Sequence, residues 1–231
     1  MQKYLYLFID FLSLLFPLLF SFHPKANFSK KWKYLWPAIL FPAIFFIAWD
    51  EWFVQMGIWG FNERYITGIY LLHLPLEEIL FFISIPYACV FIYEAVGHFF
   101  PYEVVPNNGQ RITWLLIPGL LLTGLVKYDL WYTVTTSLFM AAFLLFLSVL
   151  VKPAFMGRFY FAYFFILIPF FLLNGILTGT GLPEPVVWYN DHENLGIRLF
   201  TIPFEDTFYG MLLILMNVSI FEYLQKRAAG T

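Results

Sequence analysis

The sequence predicts an all-α integral membrane protein: seven transmembrane helices, arranged as two parallel three-helix repeats joined by a linker helix. Three observations carry this. Of 231 residues, 61% are hydrophobic and 12% charged, with a mean hydropathy of +0.74, far more apolar than soluble domains are. Apolar stretches near the roughly 20 residues that a helix needs to cross a bilayer recur seven times. A proline followed by two acids inside such a stretch occurs twice, 128 residues apart.

The stretches lie at about 3–22, 34–50, 66–98, 112–128, 130–151, 158–178 and 197–224. The first is too long for a signal-peptide core, holds Asp10 and leads into His23-Pro24-Lys25 rather than a small-residue cleavage site, so it is a retained span. Helices are expected throughout, because backbone polar groups at membrane depth must be satisfied within their own segment and no alternating barrel pattern is present. The third stretch exceeds one crossing. Pro75 stands where a helix breaks or starts, so residues 62–73 are expected as a short re-entrant or interfacial piece ahead of a helix from Pro75. Pro203 stands in the same place in the seventh. Cys89, the single cysteine, lies in an apolar run and reads as a core residue.

With alternating helices, one side receives nine basic residues (Lys25, Lys30, Lys31, Lys33, Arg111, Lys152, Arg158, Lys226 and Arg227) and the other four (Lys3, Arg64, Lys127 and Arg198). The positive-inside rule then makes a multi-pass cell-membrane protein with the N-terminus outside and the C-terminus cytoplasmic. The net charge of −2 says nothing of partners, and the basic residues are scattered over short loops rather than gathered into the patch that nucleic-acid binding needs, so no nucleic-acid partner is expected.

The repeat extends beyond the acids. Phe61-Asn62-Glu63 lies over Tyr189-Asn190-Asp191, Gly68-Ile69 over Gly196-Ile197, Pro75 over Pro203, Glu77-Glu78 over Glu205-Asp206, Phe81 over Tyr209, and Tyr93-Glu94 over Phe221-Glu222. The expected division is a first repeat at 1–98, a linker with the fourth helix at 99–129 and a second repeat at 130–231. Glu77, Glu78, Glu205 and Asp206 would then face one another at one depth, and such charges in a bilayer core are costly enough to imply use. Like charges in low dielectric cannot all ionise, so the set supplies a general acid and a general base, with no metal or cofactor. Aromatic faces nearby, among them Trp49, Trp59, Phe81 and Tyr209, attract cations. Asn62 and Asn190 are candidates for orienting the site. His73 and Asp50 are secondary candidates, and Asp10 has no assigned role. Glu94 lies about 25 Å along the helix from Glu77, so it pairs structurally with Glu222 at the other membrane face.

Two three-span repeats, each with an Asn-acid loop and a Pro-x-Glu-(Glu/Asp) motif opening its third span, resemble the membrane-embedded, flavin-independent lycopene cyclases. These are known as two heterodimerising subunits, as one fused chain, and as a domain of bifunctional carotenoid enzymes. The resemblance covers nearly the whole chain. It implies ring closure of lycopene to β-carotene via γ-carotene, an isomerisation without net redox change. Glu77, Glu78, Glu205 and Asp206 would be the acid-base set, and Phe81, Tyr209, Trp49, Trp59, Asn62 and Asn190 the substrate-binding set. The implied partners are lycopene, the lipid bilayer and other carotenoid-pathway enzymes.

Other readings differ in class. A retinal protein needs a lysine in the seventh helix, and residues 197–224 have none. An intramembrane prenyltransferase would use Asn190-Asp191-His192-Glu193-Asn194 to hold magnesium and diphosphate, though its counterpart at Asn62-Glu63-Arg64-Tyr65-Ile66 lacks the pattern. A proton-coupled transporter would use the acid pairs as an ion site.

Overall fold

The computed structural model describes residues 2–24, 27–100 and 108–230. Lys25, counted above for orientation, lies outside the described residues. Seven described helices are long and apolar enough to cross a membrane. In chain order these are α1 (Leu5–Ser21), α2 (Trp32–Gln55), α3 (Leu76–Phe99), α4 (Gly109–Val126), α5 (Trp131–Phe146), α6 (Met156–Leu177) and α7 (Phe204–Ala229). A π-helical stretch at Leu147–Val151 extends α5.

The expectation of no strands is corrected at three small ribbons. β1 (Trp59–Phe61) pairs antiparallel with β4 (Val187–Tyr189), β2 (Tyr70–Leu71) with β3 (Leu74–Pro75), and β5 (Arg198–Leu199) with β6 (Ile202–Pro203). The two hairpins replace the interfacial pieces expected ahead of Pro75 and Pro203. Their cause is the proline, which lacks an N–H for a helix and keeps the preceding residue extended. Each hairpin turns on a residue in the left-handed region, Leu72 (φ 58°) and Phe200 (φ 59°). Both α3 and α7 then begin directly after their proline.

The halves interlock. In each half the first helix packs on the third, α1 on α3 and α5 on α7, while the middle helix packs across, α2 on α7 and α6 on α3. β1 and β4 run across a pseudo-two-fold axis, because Gly60 faces Trp188, its own counterpart 128 residues on. Only glycine fits there: a Cβ on residue 60 would lie 2.4 Å from Trp188 Cζ2. The backbone repeats the symmetry, with Asn62 N–H donating to Val186 O and Asn190 N–H to Ile58 O.

The offset is not constant along the chain. Tyr6 N–H donates to Tyr65 O and Tyr132 N–H to Glu193 O, which sets α1 against α5 at 126. Ile58 N–H donates to Phe53 O and Val186 N–H to Leu177 O, which sets the end of α2 against that of α6 at 124. At the face away from the acid pairs, Arg158 bonds Glu222 at 2.6 Å and Glu94 at 3.3 Å, with its guanidinium 3.8 Å over the Tyr93 ring. Lys31 also bonds Glu94. The two acids meet through a shared arginine, as the structural pairing of Glu94 with Glu222 required.

Candidate functional site

Each acid pair occupies the first turn of its helix, where free backbone N–H groups and the helix dipole favour carboxylates. The two members of each pair do different jobs. Glu77 Oε1 accepts the N–H of Thr67 at 2.6 Å, and Glu205 Oε1 accepts that of Leu195 at 2.8 Å, the equivalent bond 128 residues on. Glu205 also accepts the Thr133 hydroxyl at 2.5 Å. These first acids tie the preceding loop to the helix start, and neither lines the cavity described next.

The second acids do line it. A cavity of about 420 Å³ holds Glu78, Asp206 and Asp50 together at one end, among Trp59, Phe81, Tyr209 and the phenols of Tyr6, Tyr132 and Tyr189. Glu78, Asp206 and Asp50 are 7%, 5% and 2% exposed. From Glu78 the cavity follows α3 as far as Ile92, about 21 Å at 1.5 Å per residue. Apart from the carboxylate end its walls are almost wholly apolar. The outer rim is formed by α1 and α6, whose Phe16, Leu172 and neighbouring Phe164 and Ile168 face outward.

The carboxylates differ in their donors. Glu78 accepts one hydroxyl, from Tyr6 at 2.5 Å. Asp206 accepts three groups: the Tyr132 hydroxyl at 2.5 Å, the Asn174 amide at 2.9 Å and the Tyr189 hydroxyl at 3.0 Å. Burial first, and then the Asp206 charge, holds the Tyr189 phenol well above its ordinary pKa, so it stays a donor. Tyr6 and Tyr132 are equivalent at the 126 offset, so each half supplies one phenol from its first helix to the carboxylate of its third. Asp50 and Asn174 are equivalent at the 124 offset; the second half has an amide where the first has an acid.

Other expected site residues fall elsewhere. Trp49 does not line the cavity but stands 5.0 Å from the Tyr209 ring. Asn62 and Asn190 close turns, their Oδ1 atoms accepting the N–H of Arg64 at 3.0 Å and His192 at 3.1 Å. Neither reaches the cavity. His73 binds Glu51 at 2.5 Å on the exposed rim. Asp191, required by a diphosphate-binding reading, instead bonds Arg198 and Asn194; burial raises its pKa, and these bonds outweigh that and hold it below the ordinary value. Tyr6, Tyr132, Tyr189 and Asn174 are the members that sequence reasoning missed.

Fold and site together define a protein of membrane-length helices whose buried carboxylates line one end of an apolar crevice between α1 and α6. A family profile described as lycopene cyclase matches residues 3–96 and 129–224, and the chain belongs to that family. It is similar to a protein of Phycomyces blakesleeanus named bifunctional lycopene cyclase/phytoene synthase, at 33% identity over 95 residues. That match covers 38% of this chain and 15% of the relative. It is also similar to proteins named lycopene beta-cyclase from two strains of Halobacterium salinarum, at 41% identity over 58 residues, covering 22% of this chain and 24% of each relative. The chain thus spans less than a quarter of the length of each of these relatives. No solved structure matches.

Proposed function

We propose that the chain is a lycopene β-cyclase that closes the end rings of lycopene by acid-base catalysis, converting it to β-carotene via γ-carotene. One observation carries the reading: Glu78 and Asp206, one from each half, line one apolar crevice with different sets of donors. The Phycomyces and Halobacterium relatives bear the activity in their names.

Ring closure needs one proton given and one removed. A carboxyl proton adds to the terminal double bond, leaving a tertiary cation. The neighbouring double bond attacks that cation and closes the ring, and a base then takes a ring proton to give the β-ionone double bond. Electrons and protons balance with no redox partner. An ionised carboxylate only accepts hydrogen bonds, and Asp206 is met by three donors, so it suits the base and the counter-charge of the cation. Glu78 has one donor and suits the acid. Trp59, Tyr189 and Tyr209 present ring faces or hydroxyl dipoles to the cation, and the apolar walls keep out the water that would capture it as an alcohol.

In this reading Glu77 and Glu205 position the helix starts rather than exchange protons. The division into repeats at 1–98 and 130–231 around a linker at 99–129 is part of the proposal, as is a cell-membrane location with the N-terminus outside and the C-terminus cytoplasmic. The relative that is fused to a phytoene synthase supports other carotenoid-pathway enzymes as partners. The test is expression in a lycopene-producing bacterium with pigment analysis. Conversion to β-carotene is expected, and unchanged lycopene beside well-expressed, membrane-inserted protein would overturn the reading.

A further inference from the structure

The pseudo-two-fold axis implies two crevices. One lies between α1 and α6, against α3 and α7, and is the cavity described above. Its symmetry mate lies between α5 and α2, against α7 and α3. The two are not alike, and the difference rests on three pairs of equivalent residues. Ser13 and Gly210 line the open crevice. Their counterparts, Phe139 at the 126 offset and Phe82 at the 128 offset, carry rings. Leu173, also on the open side, corresponds at the 124 offset to Trp49.

On the closed side these rings touch one another. Trp49 and Phe139 centroids are 4.9 Å apart, Phe45 lies 5.8 Å from Phe139, and Phe46 lies 5.6 Å from Trp49 and 6.1 Å from Phe82. None of the five lines the open cavity. Phe46 and Phe82 are wholly buried, whereas Phe139 is 41% exposed and stands at the mouth. The space that Ser13 and Gly210 leave empty on one side is therefore filled by one continuous aromatic plug on the other.

We propose that the protein has a single reaction chamber, entered only through the α1/α6 crevice, which takes one end of the polyene at a time. A substrate with two reactive ends then has to leave and re-enter reversed before its second ring can close. Glu78 and Asp206 serve the same end, and Ser13 and Gly210 are the residues that keep this entrance open. The inference rests on the polyene-cyclase reading, and adds to it the number of chambers and the residues that set it.

Transplanting the closed side onto the open side is the direct test. A Cβ on residue 210 would meet Phe170 Cε2 at 3.7 Å and Tyr163 Oη at 3.9 Å, which is ordinary contact. The ring of Gly210→Phe thus has the crevice as its free space while the helix backbone is undisturbed. Lycopene bound to purified protein in nanodiscs is read by the induced circular dichroism of its visible band. Gly210→Phe and Ser13→Phe should each lower that signal at least tenfold at equal helical content, and Phe139→Leu should leave it within twofold of the parent. An unchanged signal in Gly210→Phe, or its loss in Phe139→Leu, would overturn the single entrance.

The second arm follows turnover. Labelled lycopene is given briefly to the parent protein, followed by a twentyfold excess of unlabelled lycopene. Release between ends predicts that label stops at the monocyclic product and that labelled bicyclic product falls about twentyfold. Bicyclic product that forms at an undiminished rate through the chase would refute one-end-at-a-time handling. Absence of any cyclised product in the parent would count against the cyclase reading alone, and the binding arm would still decide the entrance.

Discussion

Glu78→Gln removes an ionisable proton from the chamber while keeping size, shape and an oxygen for the Tyr6 hydroxyl. General acid-base catalysis typically contributes about 10²–10⁴-fold, so conversion should fall by that factor. The neighbouring Glu77→Gln makes the control, because Glu77 is spent on one backbone bond, from Thr67. A bond to a charged acceptor contributes about 1.5–3 kcal/mol and to a neutral one about 0.5–1.5, so the amide costs about 1 kcal/mol of stability. Glu205 takes two such bonds, from Leu195 and Thr133, so Glu205→Gln costs about 2 kcal/mol. Losses of that size lower the folded fraction before they touch the chemistry, and conversion per inserted molecule should stay within about tenfold of the parent. The assay is pigment extraction from lycopene-producing cells, normalised to membrane-inserted protein. Equal losses in Glu77→Gln and Glu78→Gln, or full conversion by Glu78→Gln, would refute the separation of positioning acid from reacting acid.

Tyr132→Phe removes one of three donors to Asp206 and should lower conversion less than Asp206→Asn does; the two are compared in the same pigment assay. Asp206→Asn should cut it about 10²–10⁴-fold. Gly60→Ala drives a methyl into the Trp188 ring and should destabilise the protein by about 1–3 kcal/mol, read as a lower unfolding midpoint in detergent. Arg158→Met leaves Glu94 and Glu222 facing each other without their shared cation, and should lower the same midpoint while sparing conversion per folded molecule. The depressed Asp191 carboxylate contributes stability above the ordinary carboxylate range, near pH 4, and loses it as pH falls through its folded pKa. Asp191→Asn should flatten that acid limb of the unfolding midpoint.

The helices were legible because lipid leaves few choices: apolar length alone marks a span, and the two prolines mark where α3 and α7 begin. The acid pairs were legible because carboxylates are rare in such stretches. The hairpins ahead of them were not. Strands of two residues carry no alternation to detect, and their turns use Leu72 and Phe200, neither of which favours the left-handed region. Within each pair, the division of labour depends on which carboxylate meets the loop N–H, and the adjacent Glu77 and Glu78 look alike in sequence. Tyr6 and Tyr132 were hidden among 15 tyrosines, more than 70 residues from their carboxylates. A signal did exist. They align with each other once two residues of slack are allowed, which the ungapped offset of 128 does not permit. Asp50 and Asn174 need four residues of slack and were separated for the same reason.

The contact of Gly60 with Trp188 bears on how such halves could find one another if they were made as separate chains. Two copies of the first half would set glycine against glycine across the axis and leave the place of the indole empty. Two copies of the second would force two indoles into the space that one fills. Only a mixed pair places one ring over one bare backbone. A single position on the symmetry axis, where every residue must meet its own counterpart, therefore discriminates unlike halves from like ones by shape alone.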